Sequence, residues 1–585
     1  MLLDFARSFR SPVPGLGKAA ATVLLLGAQA LAFQDGDPFP TFVDVAGERG
    51  VTLRNVSGNT VKEFILESTG NGAAFLDYDR DGDMDLLIVN GSTLDEYADG
   101  GDPMVALYRN DGGAFVDVTQ EAGMTHPGWG VGVCVGDYDN DAYPDAYVTA
   151  YGRNLLYRNL GNGTFEDVTS STGTGDAHWG TNCAFADYDR DGHLDLYVAN
   201  YLAFDEDAIP EPGAGPHCRY LGTDVFCGPS GLEAEPDVLY RNNGDGTFAD
   251  ATSDAGVGHQ GYYGFGVLFT DFDNDGWPDI YVANDSVPNL LFRNNQNGTF
   301  SEVGLLSGTS LSGRGTMQAG MGVTAGDYDG DGWLDIFVTN FAQDTNTLYR
   351  NLGNLLFTDA TTTAGLFGTS PRHLGWGTIF ADFDNDGHLD LFVANGHVYP
   401  KIAETTDQRY RQPKEIYRNL GNGRFEEVTS LIGAAVSVPK PARGAAYGDV
   451  DNDGDIDVIV INIDEAPSLY LNDGGNRKRW ITLSLEGTAS NRDAIGARVE
   501  IKAGGRTQIR HVRSGESYLS HNDVRVQFGL GDATRIDRIR IRWPSGGTEE
   551  IEGVDADQFL KIREGQGVVE QALPVPSAGT TDRGL

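Results

Sequence analysis

The sequence Asp327-Tyr-Asp329-Gly-Asp331-Gly-Trp-Leu-Asp335 is the clearest copy of an acidic loop that occurs seven times in this chain of 585 residues. Aspartates stand at loop positions 1, 3, 5 and 9, and the glycine at position 6 permits a tight turn. Carboxylates held about 4 Å apart repel each other by roughly 1 kcal/mol in water. A hard divalent cation removes this repulsion, and calcium tolerates irregular oxygen geometry better than magnesium does. The loop therefore predicts a calcium site.

The seven copies, Asp loops 1 to 7, predict up to seven Ca²⁺ ions. A single copy is also compatible with a solvated turn, but seven copies in the same context argue against that interpretation. Strand-forming residues follow position 9 and no Glu stands at position 12, so the loop is not an EF-hand. Loop 2 has Ala142 where the others have glycine, which puts its site in doubt. The predicted metal ligands are Asp77, Asp79, Asp81, Asp83 and Asp85; Asp137, Asp139, Asp141 and Asp145; Asp187, Asp189, Asp191 and Asp195; Asp271, Asp273, Asp275 and Asp279; Asp327, Asp329, Asp331 and Asp335; Asp382, Asp384, Asp386 and Asp390; and Asp449, Asp451, Asp453, Asp455 and Asp457.

The segments around each loop predict four short strands per repeat. A Gly- or Ala-rich strand precedes the loop, a β-branched strand follows it, and a third strand of the type Leu348-Tyr-Arg-Asn351 leads through a hairpin to a fourth. Seven such units predict an all-β fold with a seven-bladed β-propeller over residues 33–476. The fourth-strand motif appears first at Phe42-Val-Asp-Val45 and is missing after the last repeat. We therefore expect the N-terminal strand to complete the last blade.

The long insertions, 201–236 and 396–415, lie between the second and third strands of their repeats, on the face opposite the Asp loops. The starts of the first strands bring Trp129, Trp179 and Trp376 to the same face. Such an aromatic ring either packs the mouth of the channel or binds a ligand, and packing is the favoured interpretation.

The N-terminus predicts a secretory signal peptide, residues 1–32. Basic residues precede an apolar run from Ala19 to Leu31, and Ala30-Leu-Ala32 has the form of a cleavage site. An uncleaved anchor is the alternative, although the run is short for a membrane span. No later segment is apolar enough to span a bilayer. The net charge of −43 argues against nucleic acid as a partner.

The four cysteines fall into two pairs. Cys218 and Cys227 lie in one insertion and predict a local disulfide, as expected of a secreted chain. Cys134 and Cys183 lie in predicted first strands, and we expect them to be small buried core residues.

The repeat stops near residue 476, where the composition becomes weakly basic. Alternating strands such as Trp480-Ile-Thr-Leu-Ser-Leu485 predict a small β-sandwich over residues 477–564. Attraction between this basic module and the acidic repeats is expected to fix their docking. Residues 565–585, rich in Gly, Pro, Ser and Thr, predict a disordered tail.

The Asp loops between Gly-rich and aromatic strands resemble the FG-GAP/VCBS repeats of integrin α-subunit propellers. The motifs Asn491-Arg-Asp-Ala-Ile-Gly-Ala-Arg-Val499, Ser514-Gly-Glu-Ser-Tyr-Leu-Ser520 and Arg542-Trp-Pro-Ser-Gly546 resemble the ASPIC/UnbV domain. The pairing is similar to the cartilage acidic protein family, as a bacterial-type secreted member. The resemblance implies calcium binding at the loop aspartates and a place in the extracellular matrix, and it supplies no catalytic residues.

Two functions remain open. The first is a secreted or cell-surface calcium-binding scaffold or adhesion protein, with an extracellular protein or glycan as partner and calcium in a structural role. The alternative is a calcium-dependent enzyme acting on extracellular polysaccharide, with His397, Tyr399, Tyr410 and Arg411 as acid/base candidates by residue type. A role in secondary metabolism follows only from the UnbV name. The sequence contains no Gly-x-Ser-x-Gly, HExxH or Walker motif, which favours the first function.

Overall fold

Each Asp loop joins two antiparallel strands, and position 9 of the loop is the first residue of the second strand. The computed structural model describes residues 38–368 and 370–574. In the repeat that carries loop 5, Gly326 pairs with Asp335 and Ala325 with Ile336. The small residues of the first strands allow close approach, because a Cβ on Gly322 would lie 2.1 Å from the carbonyl oxygen of Trp376. The Gly-rich composition is therefore a packing requirement.

The repeats form four-stranded sheets with strands in sequence order, as predicted. Repeat sheets 1 to 6 each take four strands that are successive in the chain, except that sheet 3 skips a two-stranded hairpin formed within the 201–236 insertion. The strands are β1 (Thr41–Asp44), β2 (Ala73–Leu76), β3 (Asp85–Val89), β4 (Val105–Asn110), β5 (Phe115–Asp117), β6 (Trp129–Gly136), β7 (Asp145–Tyr151), β8 (Leu155–Asn159), β9 (Phe165–Asp167), β10 (Gly180–Ala186), β11 (Asp195–Asn200), β12 (Arg219–Tyr220), β13 (Thr223–Asp224), β14 (Val238–Asn242), β15 (Phe248–Asp250), β16 (Gly264–Thr270), β17 (Asp279–Asn284), β18 (Leu290–Asn294), β19 (Phe300–Glu302), β20 (Gly320–Gly326), β21 (Asp335–Asn340), β22 (Thr347–Asn351), β23 (Phe357–Asp359), β24 (Gly375–Ala381), β25 (Asp390–Asn395), β26 (Glu415–Asn419), β27 (Phe425–Glu427), β28 (Ala442–Gly448), β29 (Asp457–Asn462) and β30 (Ser468–Asp473).

Helical segments are short and connect the strands. The α-helices are α1 (Leu66–Thr69), α2 (Leu94–Ala98), α3 (Thr169–Thr172), α4 (Thr252–Ala255), α5 (Gly304–Ser307) and α6 (Ala434–Ser437). Single 3₁₀ turns lie at Pro216–Cys218, Ser370–Arg372, Ile402–Glu404, Thr429–Leu431 and Gly475–Arg477. Within the described ranges, no helix has the length and apolar character needed to cross a bilayer.

Repeat sheet 7 joins the two ends of the repeat region. It consists of β28, β29 and β30 together with β1, whose Thr41 pairs with Asp473. The expectation that the N-terminal strand completes the last repeat is confirmed. The first strand of each sheet also lies against the first strand of the next, and β28 lies against β2. The seven sheets are thus in cyclic contact.

The C-terminal region forms two further four-stranded sheets whose buried residues share one hydrophobic cluster. The first has the order β34-β31-β37-β38 and the second the order β33-β32-β35-β36. The strands are β31 (Arg479–Glu486), β32 (Arg498–Ala503), β33 (Arg506–His511), β34 (Val526–Gly531), β35 (Arg535–Arg542), β36 (Thr548–Asp555), β37 (Phe559–Arg563) and β38 (Gly567–Ala572).

The strand β38 corrects the expectation that residues 565–585 are disordered throughout. It pairs antiparallel with β37, with Phe559 opposite Ala572. Val568 and Val569, within an otherwise polar segment, are the strand-forming residues that the composition argument overlooked. Residues 575–585 and the predicted signal peptide lie outside the described residues.

The C-terminal region inserts residues 513–523 among the first strands of the repeat sheets. Ser517 and Val323 exchange two backbone hydrogen bonds of 2.7 and 3.0 Å, and the amide of His521 donates to the carbonyl of Ala73 at 2.9 Å. These contacts reach β20 and β2, which belong to sheets 5 and 1. One loop therefore contacts several sheets at their inner edges.

The aromatic side chain at the centre of this loop completes a hydrophobic core formed with the repeat sheets. Tyr518 is fully buried, and its ring lies 4.8 Å from the ring of Trp376 and 5.5 Å from that of Phe265. Trp129 and Trp179 belong to the same hydrophobic cluster. The tryptophans of the predicted aromatic ring are therefore packed in a hydrophobic core.

Ion pairs also hold the C-terminal region to the Asp loops, in agreement with the charge argument. Arg542 pairs with Asp271 of loop 4, and Lys478 pairs with Asp384 of loop 6 at 3.1 Å. The inserted loop was not predicted, because nothing in the local pattern indicates that a C-terminal loop fills space inside the repeats.

The structure contains two disulfides. The predicted Cys218–Cys227 bond is present. Cys134 and Cys183 are buried, as expected, and are also bonded to each other, a pairing that the sequence does not predict. They lie on β6 and β10, the first strands of neighbouring sheets, and their proximity depends on a register between sheets that the sequence does not reveal.

Candidate metal loops

Each Asp loop is a tight turn closed by its own first carboxylate. In loop 5 the Asp327 side chain accepts the amide of Asp331 at 2.9 Å and the amide of Gly332 at 3.1 Å. Gly332 has φ +91°, a left-handed conformation that favours glycine. The same pair of hydrogen bonds recurs at position 1 in the other six loops. The position-1 carboxylate therefore stabilises the turn through hydrogen bonds to the loop backbone.

Positions 1, 3 and 9 converge within each of the first five loops. Their ligand atoms lie within 4.8 Å of one another, a spacing at which the three carboxylates can share one ion. The converging sets are Asp77, Asp79 and Asp85; Asp137, Asp139 and Asp145; Asp187, Asp189 and Asp195; Asp271, Asp273 and Asp279; and Asp327, Asp329 and Asp335.

The position-5 aspartate, also predicted as a ligand, forms hydrogen bonds and ion pairs with the protein. In loop 5 one oxygen of Asp331 accepts the amide of Trp333 at 3.1 Å, and the other pairs with Arg350 at 3.0 Å. Asp83, at position 7 of loop 1, accepts hydrogen bonds from Gly112 and Asn452. These carboxylates hydrogen-bond within the turn or to neighbouring segments, and their ligand role stays a prediction.

Several position-3 oxygens are buried without a hydrogen-bond partner among the described residues. They are the Oδ1 atoms of Asp79, Asp189 and Asp329. A buried carboxylate oxygen with no donor is costly, and a bound cation is one way to satisfy it. The residues present therefore fit a hard, oxygen-ligated divalent ion.

The electrostatics of the loops also favour a cation. Burial raises the pKa of Asp85 to about 8 and that of Asp77 to about 6. Desolvation disfavours the charged carboxylate, and the neighbouring aspartates add to the effect. Burial likewise raises the pKa well above its usual range at position 9 of the other loops: Asp145, Asp195, Asp279, Asp335, Asp390 and Asp457.

Loop 2 keeps the arrangement despite its alanine. Ala142 adopts φ +78°, and its amide still donates to Asp137 at 2.6 Å. The predicted strain is present, since a left-handed non-glycine residue is unfavourable. Its carboxylates nevertheless converge as in the other loops.

An asparagine at the end of each third strand links neighbouring loops. The amide nitrogen of Asn351 donates at 3.0 Å to Leu334 of its own loop and at 3.0 Å to Phe272 of the preceding loop. Asn110 closes the series by donating to Val450 of loop 7 at 2.7 Å. The seven residues are Asn110, Asn159, Asn242, Asn294, Asn351, Asn419 and Asn472. Sequence reasoning assigned them only to strands, although an asparagine that recurs at one position of every repeat was the signal.

The acid/base candidates of the alternative function are engaged in structural contacts. His397 is fully buried and hydrogen-bonds to Gln408 and to the amide of Tyr399. Arg411 forms an ion pair with Glu465. Burial raises the pKa of Tyr410 to about 12, which holds its phenol protonated. Their geometry gives the enzyme hypothesis no support.

Comparison with family models gives two matches. A model of the FG-GAP-like repeat matches residues 77–148, 143–198, 223–282, 271–338, 327–393 and 406–460, which together make up more than half of the chain. A model described as ASPIC and UnbV matches residues 487–569.

Curated relatives include cartilage acidic protein 1. The mouse protein is 27% identical over 351 residues, 58% of this chain and 51% of that protein. The human protein is 26% identical over 351 residues, 58% of this chain and 50% of that protein. The match thus spans about half the length of these relatives.

Among solved structures, an Agrocybe aegerita lectin that recognises non-reducing terminal N-acetylglucosamine aligns over 69% of this chain and 94% of its own. Its sequence identity is 16% and its TM-score is 0.35.

Proposed function

This chain belongs to the FG-GAP-like repeat family and carries an ASPIC and UnbV domain, and from that premise we propose a secreted calcium-binding β-propeller that acts as an extracellular binding, adhesion or scaffold protein. The observation that carries the proposal is the convergence of carboxylates at positions 1, 3 and 9 of the loops, with buried position-3 oxygens that have no donor. Calcium would be structural, because its positive charge would offset the repulsion among these carboxylates.

A ring of seven blades accounts for the arrangement of the sheets. The first strands are in cyclic contact, β1 completes the sheet of β28–β30, and the asparagine links run from each loop to the one before it. A closed ring leaves no exposed sheet edge at its ends, which is the usual benefit of such closure.

Three independent features support secretion. The predicted signal peptide directs export, two disulfides are typical of an oxidising compartment, and the curated relatives are named as cartilage proteins. The partner would be an extracellular protein or glycan.

The calcium role is tested by thermal unfolding of residues 33–585 with calcium, with magnesium, and with excess chelator. Several occupied sites together should raise the melting temperature by about 10 °C or more in calcium. Asp335→Asn should reduce the calcium-dependent increment, whereas Asp254→Asn, at an exposed position of α4, should leave it unchanged. Identical melting curves in calcium and chelator would contradict the proposal.

A further inference from the structure

Four partly exposed aromatic side chains lie together at the ends of the strands away from the Asp loops. They are Phe64 before α1, Tyr97 on α2, Tyr151 at the end of β7 and Phe204 in the 201–236 insertion. The ring centroid of Phe204 lies 5.5 Å from that of Phe64 and 5.5 Å from that of Tyr151. The ring of Tyr151 in turn lies 5.4 Å from that of Tyr97. The four rings therefore form one continuous aromatic surface, to which three successive repeats contribute.

Buried tryptophans support this aromatic surface from below. Trp129 and Trp179 are 1% and 2% exposed, and the ring of Tyr151 lies 6.5 Å from the first and 6.2 Å from the second. The Tyr97 phenol donates to the carbonyl of Tyr151, and the Tyr151 phenol donates to the carbonyl of Phe204, each at 3.3 Å. Both phenol protons are thus used within the surface. A ligand therefore meets ring faces and edges, and not free phenol donors.

Carboxylates border the aromatic surface. Each of four exposed acidic residues stands within two positions of one of the rings in sequence: Glu63, Glu96, Asp205 and Glu206. None of the four forms an ion pair within the described residues. Burial raises the pKa of Tyr151, and Asp205 and Glu206 add to the effect, so their charges act on this surface.

The basic residues closest to the rings in sequence are already paired. Lys62 contacts Asp464 at 2.8 Å, and Arg153 contacts Asp167 at 3.3 Å. Residues 91–104, the connection that carries Tyr97, contain four acidic residues and no basic residue. The negative charge around the surface is therefore unbalanced, which favours a cationic ligand over an anionic one.

Arginine is the cation that fits both features of this surface. An aromatic face attracts a cation that lies within about 6 Å of the ring centroid. A guanidinium group also pairs with a carboxylate through two parallel hydrogen bonds. It does both because it is planar and weakly hydrated, whereas the lysine ammonium is a strongly hydrated point charge. A neutral sugar would stack on the rings and leave the carboxylates uncompensated.

We propose that this aromatic surface binds arginine side chains presented by an extracellular protein. The rings stack against the guanidinium groups, and the bordering carboxylates pair with them. The inference rests on the proposed function, since it names the partner class for an extracellular binding protein.

The test is titration calorimetry of residues 33–585 in calcium with a peptide of alternating glycine and arginine. Salt at about 0.15 M screens attraction to distant acidic groups. Matched peptides carry lysine, which has the same charge, or citrulline, which keeps the planar group without the charge. We expect saturable binding of the arginine peptide, about threefold weaker binding of the lysine peptide, and at least about tenfold weaker binding of the citrulline peptide.

Three results of this titration would contradict the proposal. Equal affinity for the arginine and lysine peptides would overturn the choice of arginine. Equal affinity for the arginine and citrulline peptides would overturn the cationic ligand. No saturable binding of the arginine peptide by the folded chain would overturn the partner class.

Two pairs of variants test the location. Phe64→Leu removes one ring and keeps an apolar side chain, so it should weaken arginine binding about threefold, whereas Phe367→Leu, at an exposed position after β23, should leave it unchanged. Glu206→Gln should also weaken binding about threefold. Its control, Glu211→Gln, removes the same charge from an exposed position of the same insertion and should have no effect. Unaltered binding by folded Phe64→Leu and Glu206→Gln would overturn the location.

A neutral cello-oligosaccharide, titrated in parallel, tests the other class of partner. Saturable binding of this sugar by the wild-type chain, without binding of the arginine peptide, would overturn the proposal and assign the surface to a neutral glycan. The calcium-dependent increase in melting temperature, measured on the same sample, reports separately on the proposed function. That increase without arginine binding would reject only the arginine surface.

Discussion

Asp loops 1 and 6 share one sequence pattern but differ in how their third position is neutralised. In loop 6, Asp384 contacts Arg418 at 2.7 Å and Lys478 at 3.1 Å, and its side chain is 5% exposed. In loop 1, the equivalent arginine, Arg109, pairs instead with Asp111 at 2.8 Å. Asp79 is left with an unpartnered buried oxygen.

The difference originates outside the repeat. Lys478 belongs to the start of the C-terminal region, which covers loop 6 and leaves Asp81 of loop 1 exposed. The repeat thus sets the geometry of a loop, whereas its neighbours decide how much the loop depends on a cation. The following variants test this difference between loops 1 and 6.

Removing the centre of the inserted loop should have the largest effect. Tyr518→Ala deletes a fully buried ring from a mixed aromatic cluster and should lower the free energy of unfolding by about 3–5 kcal/mol. If docking of the C-terminal region weakens as a result, loop 6 becomes exposed like loop 1. Hydrogen exchange of the 382–395 peptide should then increase towards that of loop 1.

The control is Tyr518→Phe. It keeps the ring and loses only the hydroxyl that donates to Thr69 at 3.1 Å, so it should cost about 1 kcal/mol. Unfolding free energies come from denaturant titration. If Tyr518→Ala were no worse than Tyr518→Phe, the inserted loop would not be part of the core.

Loops 1 and 6 should respond equally to loss of their asparagine links, in contrast to their difference at position 3. Asn110 and Asn419 make equivalent pairs of hydrogen bonds from sheets 1 and 6. Each alanine variant leaves two buried carbonyls without a donor and should cost about 2 kcal/mol. Asn243→Ala, at an exposed hairpin position, should cost less than about 0.5 kcal/mol. Markedly unequal costs for Asn110 and Asn419 in chemical denaturation would argue against a closed series of links.

Loop 2 provides a smaller test, within the turn itself. Ala142→Gly relieves a left-handed alanine and should stabilise the chain by about 0.5–1 kcal/mol. The reciprocal variant is Gly276→Ala in loop 4, where φ is +97° and an added Cβ meets only Arg190 at 3.7 Å. Gly276→Ala should destabilise the chain by a similar amount. Thermal unfolding measures the change in stability of both variants. A loss of stability in Ala142→Gly would mean that the backbone strain is negligible.

The local features of the fold were predictable because they repeat. The strand order and the turn at each Asp loop follow from residues close together in sequence. The pairing of β1 with β30 joins distant segments, but the missing fourth strand of the last repeat predicts it. The Cys134–Cys183 bond, the insertion of Tyr518 and the pairing of Lys478 with Asp384 depend on contacts between distant segments. The metal-ligand roles of the aspartates stay a prediction, which the convergence of positions 1, 3 and 9 supports.

Loss of the Lys478–Asp384 ion pair should have the smallest effect, and it tests the difference between loops 1 and 6 most directly. Lys478 and a bound cation compete for Asp384, so Lys478→Met should raise the calcium affinity of loop 6 about threefold, as expected of one partly buried ion pair. Affinity can be followed loop by loop from hydrogen exchange across a calcium titration. Loop 1, which lies away from Lys478, serves as the internal reference, and Lys502→Met on β32 serves as the control for lost positive charge. A shift of equal size in loops 1 and 6 would trace the effect to net charge, whereas a shift confined to loop 6 would show that the C-terminal region tunes that site through Lys478.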